Sequence, residues 1–161
     1  MIDGRQTGQG PDNPGVRVPP PLLLLAVILT GVGLQKLWAV RLTDWPGWPV
    51  AGWALIGVGI AILVTCWVHF YRANTNIQPH RPSSTLIESG LYRRSRNPLY
   101  VAGLFLQVGI GLLLNNLWIV LLVAVSKFIF SRFIIAREEA YLERAFGEVY
   151  VNYTRKVRRW L

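Results

Sequence analysis

The chain has 161 residues, with 17 Lys and Arg against 8 Asp and Glu, a net charge of +9, 52% hydrophobic and only 16% charged residues, and a mean hydropathy of +0.35. Average proteins carry about 25% charged residues, so the deficit excludes an ordinary soluble domain and points to long uncharged stretches in a membrane. The lone cysteine, Cys66, excludes a disulfide scaffold. No repeat period recurs, and the basic residues flank apolar runs, which fits anionic lipid headgroups rather than nucleic acid.

Residues 1–20 are polar and contain Pro11, Pro14, Pro19 and Pro20. They lack the periodicity needed to bury a face and read as a disordered leader ahead of one membrane domain, residues 21–161. A signal peptide is not expected, because the apolar run that follows has span length and shows no small-residue cleavage site.

Residues 21–40 carry Lys36 as their only charge, and twenty residues at about 1.5 Å each cover the hydrocarbon core of about 30 Å. Trp45, Pro46, Gly47 and Trp48 then form a turn with an interfacial aromatic pair. Residues 49–71 have no formal charge and predict a second span, in which Gly52, Gly57 and Gly59 permit close helix packing.

Residues 72–96 hold five arginines against one glutamate, Glu88, and are too polar to span. Uncharged sequence runs from Asn97 to Ser126, about 45 Å as a single helix, with Asn115 and Asn116 near its middle. A helical hairpin is therefore expected, 99–114 and 117–135, turning at the two asparagines; its short first arm implies local thinning or tilt. The fold class is all-α: a polytopic membrane protein of about four spans. By the positive-inside rule the basic 72–96 loop and both termini lie in the cytoplasm, which in a bacterium makes the host membrane the inner one.

Three features carry possible chemistry. The segment Gly90-Leu91-Tyr92-Arg93-Arg94-Ser95-Arg96-Asn97-Pro98-Leu99-Tyr100 runs into the hairpin, with Asn97 placed to cap the helix and Pro98 at its first position. A helix start beside arginines, Arg96 nearest, suits a carboxylate or phosphate. In the fourth span Lys127 falls about 15 Å past Leu117, near the bilayer midplane, where an ammonium must snorkel or meet a cavity. At 100° per residue Lys127, Ser131 and Glu138 share one face, and Arg132 and Glu139 another. Finally, Gly147 is placed to close one helix, after which Val149, Tyr150, Tyr153 and Val157 mark an amphipathic interfacial helix at about 148–158. His69 and His80 have no ligand partners at useful spacing, so no metal site is expected.

Gly90-Leu91-Tyr92, Arg96-Asn97-Pro98-Leu99-Tyr100, the uncharged hairpin, Glu138-Glu139, Phe146-Gly147 and Tyr150-Val151-Asn152-Tyr153 occur in an order that resembles the C-terminal core of the isoprenylcysteine carboxyl methyltransferase and phospholipid methyltransferase superfamily. The resemblance covers residues 76–161, about half of the chain. It implies a membrane enzyme that binds S-adenosylmethionine in a cytoplasmic pocket capped by the C-terminal segment and takes a lipophilic or lipidated acceptor from the bilayer. Ser84, Thr85, Leu86 and Ile87 match the stretch that lines the cofactor; Tyr92, Asn97, Pro98, Leu99 and Tyr100 match further lining positions. Glu138 matches the carboxylate that holds the cofactor. Asn97 stands where the family has histidine, keeping hydrogen bonding but not titration. Ile134 stands where a substrate-facing arginine is expected, which leaves Arg96, Arg132 and Arg137 as the catalytic candidates. Two other readings remain: an NADPH-dependent membrane reductase of the sterol-reductase type, which paired carboxylates disfavour, and a small transport or structural protein with Lys127 and Arg132 lining a path.

Overall fold

The computed structural model describes residues 15, 18–72 and 86–161; most of the expected leader, His80, Ser84 and Thr85 lie outside the described residues. The chain forms α1 (Pro20–Leu37), α2 (Trp48–Arg72), a 3-10 turn (Gly90–Arg93), α3 (Pro98–Leu113), α4 (Leu117–Leu121), α5 (Val123–Ile129), a π-helical turn (Phe130–Ile135), α6 (Ala136–Phe146) and α7 (Glu148–Lys156). The protein is thus all-α and a multi-pass membrane protein. Among the described residues, α1, α2 and the continuous stretch Leu117–Phe146 are long and apolar enough to cross a bilayer, while Pro98–Leu113 is apolar but shorter.

The largest helix interface joins α2 to α3, and missing side chains make it possible. A Cβ on Gly109 would fall 2.7 Å from the Gly52 carbonyl oxygen, and one on Gly52 2.9 Å from that of Gly109. The backbones touch because neither residue has a side chain, the packing expected where lipid gives apolar side chains no reason to associate. Gly59 also packs closely, whereas a Cβ on Gly57 would meet nothing within 4 Å.

The expected asparagine turn is present. Asn115 takes a positive φ of 45°, which asparagine tolerates better than most residues, and its side-chain oxygen accepts from the Leu42 amide at 2.9 Å. Asn116 caps α4 by accepting from the Ile119 amide, and its Nδ2 donates to the Gly31 carbonyl at 3.1 Å. The turn is therefore tied to the α1–α2 connection.

The stretch expected as the fourth span differs from the single arm over 117–135. It breaks at Leu122 and continues to Phe146. Buried Gln107 of α3 donates to the Ile119 carbonyl at 3.0 Å and accepts from the Ser126 hydroxyl at 2.6 Å. These two bonds flank the break and satisfy polar groups that lipid cannot. Farther on, the π turn replaces i→i+4 bonding with i→i+5, so the 100° arithmetic that placed Lys127, Ser131 and Glu138 on one face does not carry across it.

Phe130 packs against Tyr100, ring centroids 5.2 Å apart, and Tyr100 is the third residue of α3. Lys127, three residues before Phe130, lies about 4.5 Å farther toward the middle of α3 than Tyr100, and its ammonium sits over the Trp160 ring, 5.6 Å from the centroid.

Replacing Gly109 with leucine should force α2 and α3 apart and cost about 1–3 kcal/mol or more through overpacking. Gly57→Ala should be neutral or stabilise by up to about 1 kcal/mol, the helix-interior cost of glycine. Thermal denaturation of the two variants in detergent measures the contrast.

Candidate functional site

The site forms where the start of α3, the start of α6, α7 and the chain's end converge. The local sequence explains how each wall is set. The 3-10 turn ends at Arg93 and leads to Ser95, whose hydroxyl accepts from the Asn97 amide at 3.1 Å. Pro98 then opens α3, where the Asn97 carbonyl accepts from the Tyr100 and Val101 amides. Gly147, at φ 56°, closes α6 and reverses the chain into α7, as its position in the sequence indicated. Past α7 the tail returns beside the α3 start: Ser95 and Arg158 form an isolated parallel bridge, with the Arg96 amide donating to the Arg158 carbonyl at 2.9 Å.

Asn97 stands at the capping position, yet its side chain does not cap. The Nδ2 group instead donates to the Arg159 carbonyl at 2.9 Å. The expectation of a side-chain cap is thus corrected. Asn97 is buried, and the tail carbonyl lying against it must find a donor there.

Two adjacent carboxylates enter the site in different roles. Tyr100 donates its hydroxyl to Glu138 Oε1 at 2.6 Å, a short hydrogen bond. Glu139 is clamped between two guanidinium groups, Arg96 Nη1 at 3.1 Å and Arg159, whose Nε donates at 3.0 Å and whose Nη2 closes a second bond. Arg96 and Glu139 side chains are each 15% exposed. The Nε of Arg96 is buried with no hydrogen-bond partner among the described residues, a buried donor left open to a ligand's acceptor.

Tyrosines line the remaining walls. Tyr153 donates its hydroxyl to the Tyr92 carbonyl at 2.7 Å. Burial pushes the Tyr92 phenol well above its usual range, helped by the neighbouring Cys66 thiol and the Glu138 carboxylate. Burial also pushes Tyr150 up to about 12, with Glu139 reinforcing the shift and Arg96 opposing it, and raises Tyr153. All three phenols are therefore neutral at pH 7 and can donate hydrogen bonds but not act as bases.

Of the residues singled out from the sequence, Tyr92, Arg96, Asn97, Pro98, Tyr100 and Glu138 gather here. Leu99 is half-buried on the first turn of α3. Leu86 packs against Tyr150, Tyr153 and Val157, while Ile87 lines an open groove with His69, Arg72, Glu88, Ser89 and Arg93. Arg132 and Arg137 are exposed. Arg137 donates to the Gly15 carbonyl, and neither is bonded to Arg96, Glu138 or Glu139 among the described residues. The parts that sequence reasoning missed are the clamp on Glu139 and the tail residues that complete it. The Arg158-Arg159-Trp160 run gave a basic-aromatic signal, but it read equally well as a membrane anchor.

Comparison with known proteins places this geometry. Residues 48–149 match the phospholipid methyltransferase family. The cobalt-zinc-cadmium resistance protein CzcN of Cupriavidus metallidurans is 28% identical over 102 residues, which are 63% of this chain and 44% of that protein. An uncharacterized protein of Haemophilus influenzae is 41% identical over 63 residues, 39% of this chain and 100% of that one. The chain thus spans under half the length of the first of these curated relatives.

Glu139→Gln keeps the shape of the clamp and removes its charge. Charge-assisted hydrogen bonds contribute about 1.5–3 kcal/mol, discounted here because the Arg159 side chain is 42% exposed. The Arg96 amide and the tail amides should then exchange about tenfold faster, while Glu138→Gln leaves them nearly unchanged. Hydrogen-exchange mass spectrometry of the detergent-solubilised protein reads both.

Proposed function

The chain belongs to the phospholipid methyltransferase family, and from that premise we propose that it is an S-adenosylmethionine-dependent methyltransferase acting on a lipophilic acceptor held in the bilayer. The observation that carries the reading is the pairing of Glu138, one oxygen fixed by Tyr100, with Arg96, whose buried Nε lacks a partner. A carboxylate and an orphaned guanidinium donor suit the two ends of an amino acid, an ammonium and a carboxylate. The residues present therefore fit the cofactor: Glu138 takes its ammonium and Arg96 its carboxylate. Tyr92, Asn97, Pro98, Leu99 and Tyr100 wall the site, and the family resemblance assigns Ser84, Thr85, Leu86 and Ile87 to the same cofactor.

When bound, the cofactor supplies an activated methyl group for displacement by a nucleophile. The work left to the chain is to hold the partners in line and keep water out. The tail contributes by covering the site, its Arg159 held by Glu139 and by the Asn97 side chain. Asn97 cannot take a proton, so the acceptor reaches the site as a ready nucleophile, for which a carboxylate suffices, or as an amine or thiol that loses its proton to another group. Arg132 and Arg137, exposed as they are, contribute less than Arg96 on this reading.

Four crossings follow if α3, 16 residues long and about 24 Å, traverses a locally thinned bilayer within a single membrane domain over residues 21–161. The loop at 72–96 and both termini are then cytoplasmic, as the surplus of arginine in that loop requires.

The test is thermal denaturation of the purified protein with S-adenosylmethionine, S-adenosylhomocysteine or NADPH. Both adenosyl compounds should raise the melting temperature, by the equivalent of about 2.7 kcal/mol at a hundred times the Kd. NADPH should not. Glu138→Gln should weaken S-adenosylmethionine binding about tenfold or more, the share of one charge-assisted bond. Stabilisation by NADPH alone would overturn the proposal in favour of a reductase.

A further inference from the structure

The π turn does more than disturb the helix wheel. In an α-helix, residues five apart point about 140° away from each other, but i→i+5 bonding brings them into line. Phe128 and Phe133 demonstrate this: their rings meet edge to face, centroids 6.3 Å apart, although both are more than half exposed. Lys127 and Arg132 precede them by one residue each and are also exposed. The turn therefore lays two parallel rows along the outside of the helix, one of two cations and one of two phenylalanines.

The level of this strip in the bilayer follows from the packing. Phe130 contacts Tyr100 on the first turn of α3, and the cluster they form with Ile134 and Ile135 also takes in Leu23 and Leu24 from the start of α1 and Trp160 from the tail. Arg132 and Phe133 thus lie toward the level where α1 and α3 begin, on the headgroup side, while Lys127 and Phe128 lie about one turn deeper along the helix. Lys127 can snorkel to the headgroup side, its stem against the Trp160 ring. Among the described residues no carboxylate is paired with Lys127 or Arg132. Two cations that reach the headgroup side, beside two exposed phenylalanines, match a molecule that carries an anionic phosphate above an acyl chain.

We propose that Lys127 and Arg132 hold the phosphate of an anionic membrane lipid, with Phe128 and Phe133 against its acyl chain. A zwitterionic lipid binds more weakly, because its own cation faces the same two side chains. The site is on the outer surface of α5 and the π turn, separate from the Glu138 and Arg96 cluster, and does not depend on what that cluster catalyses.

The test measures lipid selectivity directly. The protein is reconstituted into phosphatidylcholine vesicles containing a trace of spin-labelled phosphatidylglycerol or of spin-labelled phosphatidylcholine, and the motionally restricted fraction gives the relative association constant. Wild type should prefer phosphatidylglycerol. Lys127→Gln and Arg132→Gln should each reduce the preference by about fivefold at most, as expected for one surface charge near anionic lipid, and the double variant should abolish it. Lys127→Arg with Arg132→Lys should retain it, which separates loss of charge from loss of fold. Arg144→Gln with Arg155→Gln removes the same charge from exposed positions elsewhere and should leave the preference in place. Equal association of the two lipids with wild type, or an equal fall in the Arg144 and Arg155 control, overturns the proposal.

Discussion

Glu139 lies between the guanidinium groups of Arg96 and Arg159, and the arrangement of the site depends on that contact. Two partly buried arginines brought together repel each other and lose hydration, and the carboxylate between them offsets that cost. Once Glu139 takes that position, the start of α3 and the tail, far apart in sequence, are fixed together. The tail can then supply a backbone carbonyl to the Asn97 side chain, 62 residues away, and another to the Arg96 amide. Arg96 is held with its Nε facing inward and unsatisfied. The adjacent Glu138 forms no ion pair among the described residues; it accepts from the Tyr100 hydroxyl and is available to a ligand.

What the sequence made legible was what local chemistry decides. The apolar runs announced the spans, the two asparagines announced a turn as a polar pair in the middle of an over-long uncharged run, and Gly147 announced the end of a helix. The gathering of Tyr92, Arg96, Asn97, Tyr100 and Glu138 rested on a family's spacing, which already encodes the fold. The destination of the Asn97 side chain was not legible. Local rules make asparagine ahead of proline a cap, and a competing carbonyl far along the chain is invisible to them. Gln107 is similar: nothing near Ile119 in sequence shows that its carbonyl bonds to a neighbouring helix at the point where the fourth span breaks.

The π turn is the sharpest instance of the same limit. Its sequence, Phe130–Ile135, has no proline or glycine to mark an irregularity. Its effect is nevertheless large, since it resets which residues share a face exactly between the membrane-embedded part of the helix and the two carboxylates. A regular helix through this stretch would have aligned Glu138 with Lys127 and separated Lys127 from Arg132. With the turn in place, the cations line up along the outside while Glu138 and Glu139 meet the α3 start and the tail.

The shortness of α3 connects these observations. With 16 residues it covers about 24 Å, less than the hydrocarbon core of about 30 Å. On the proposed four-span reading the bilayer would thin around it, and that thinning would bring Tyr100, Glu138 and Arg96 toward the boundary between lipid and water. There a polar cofactor and a lipophilic acceptor could meet without either leaving its own solvent.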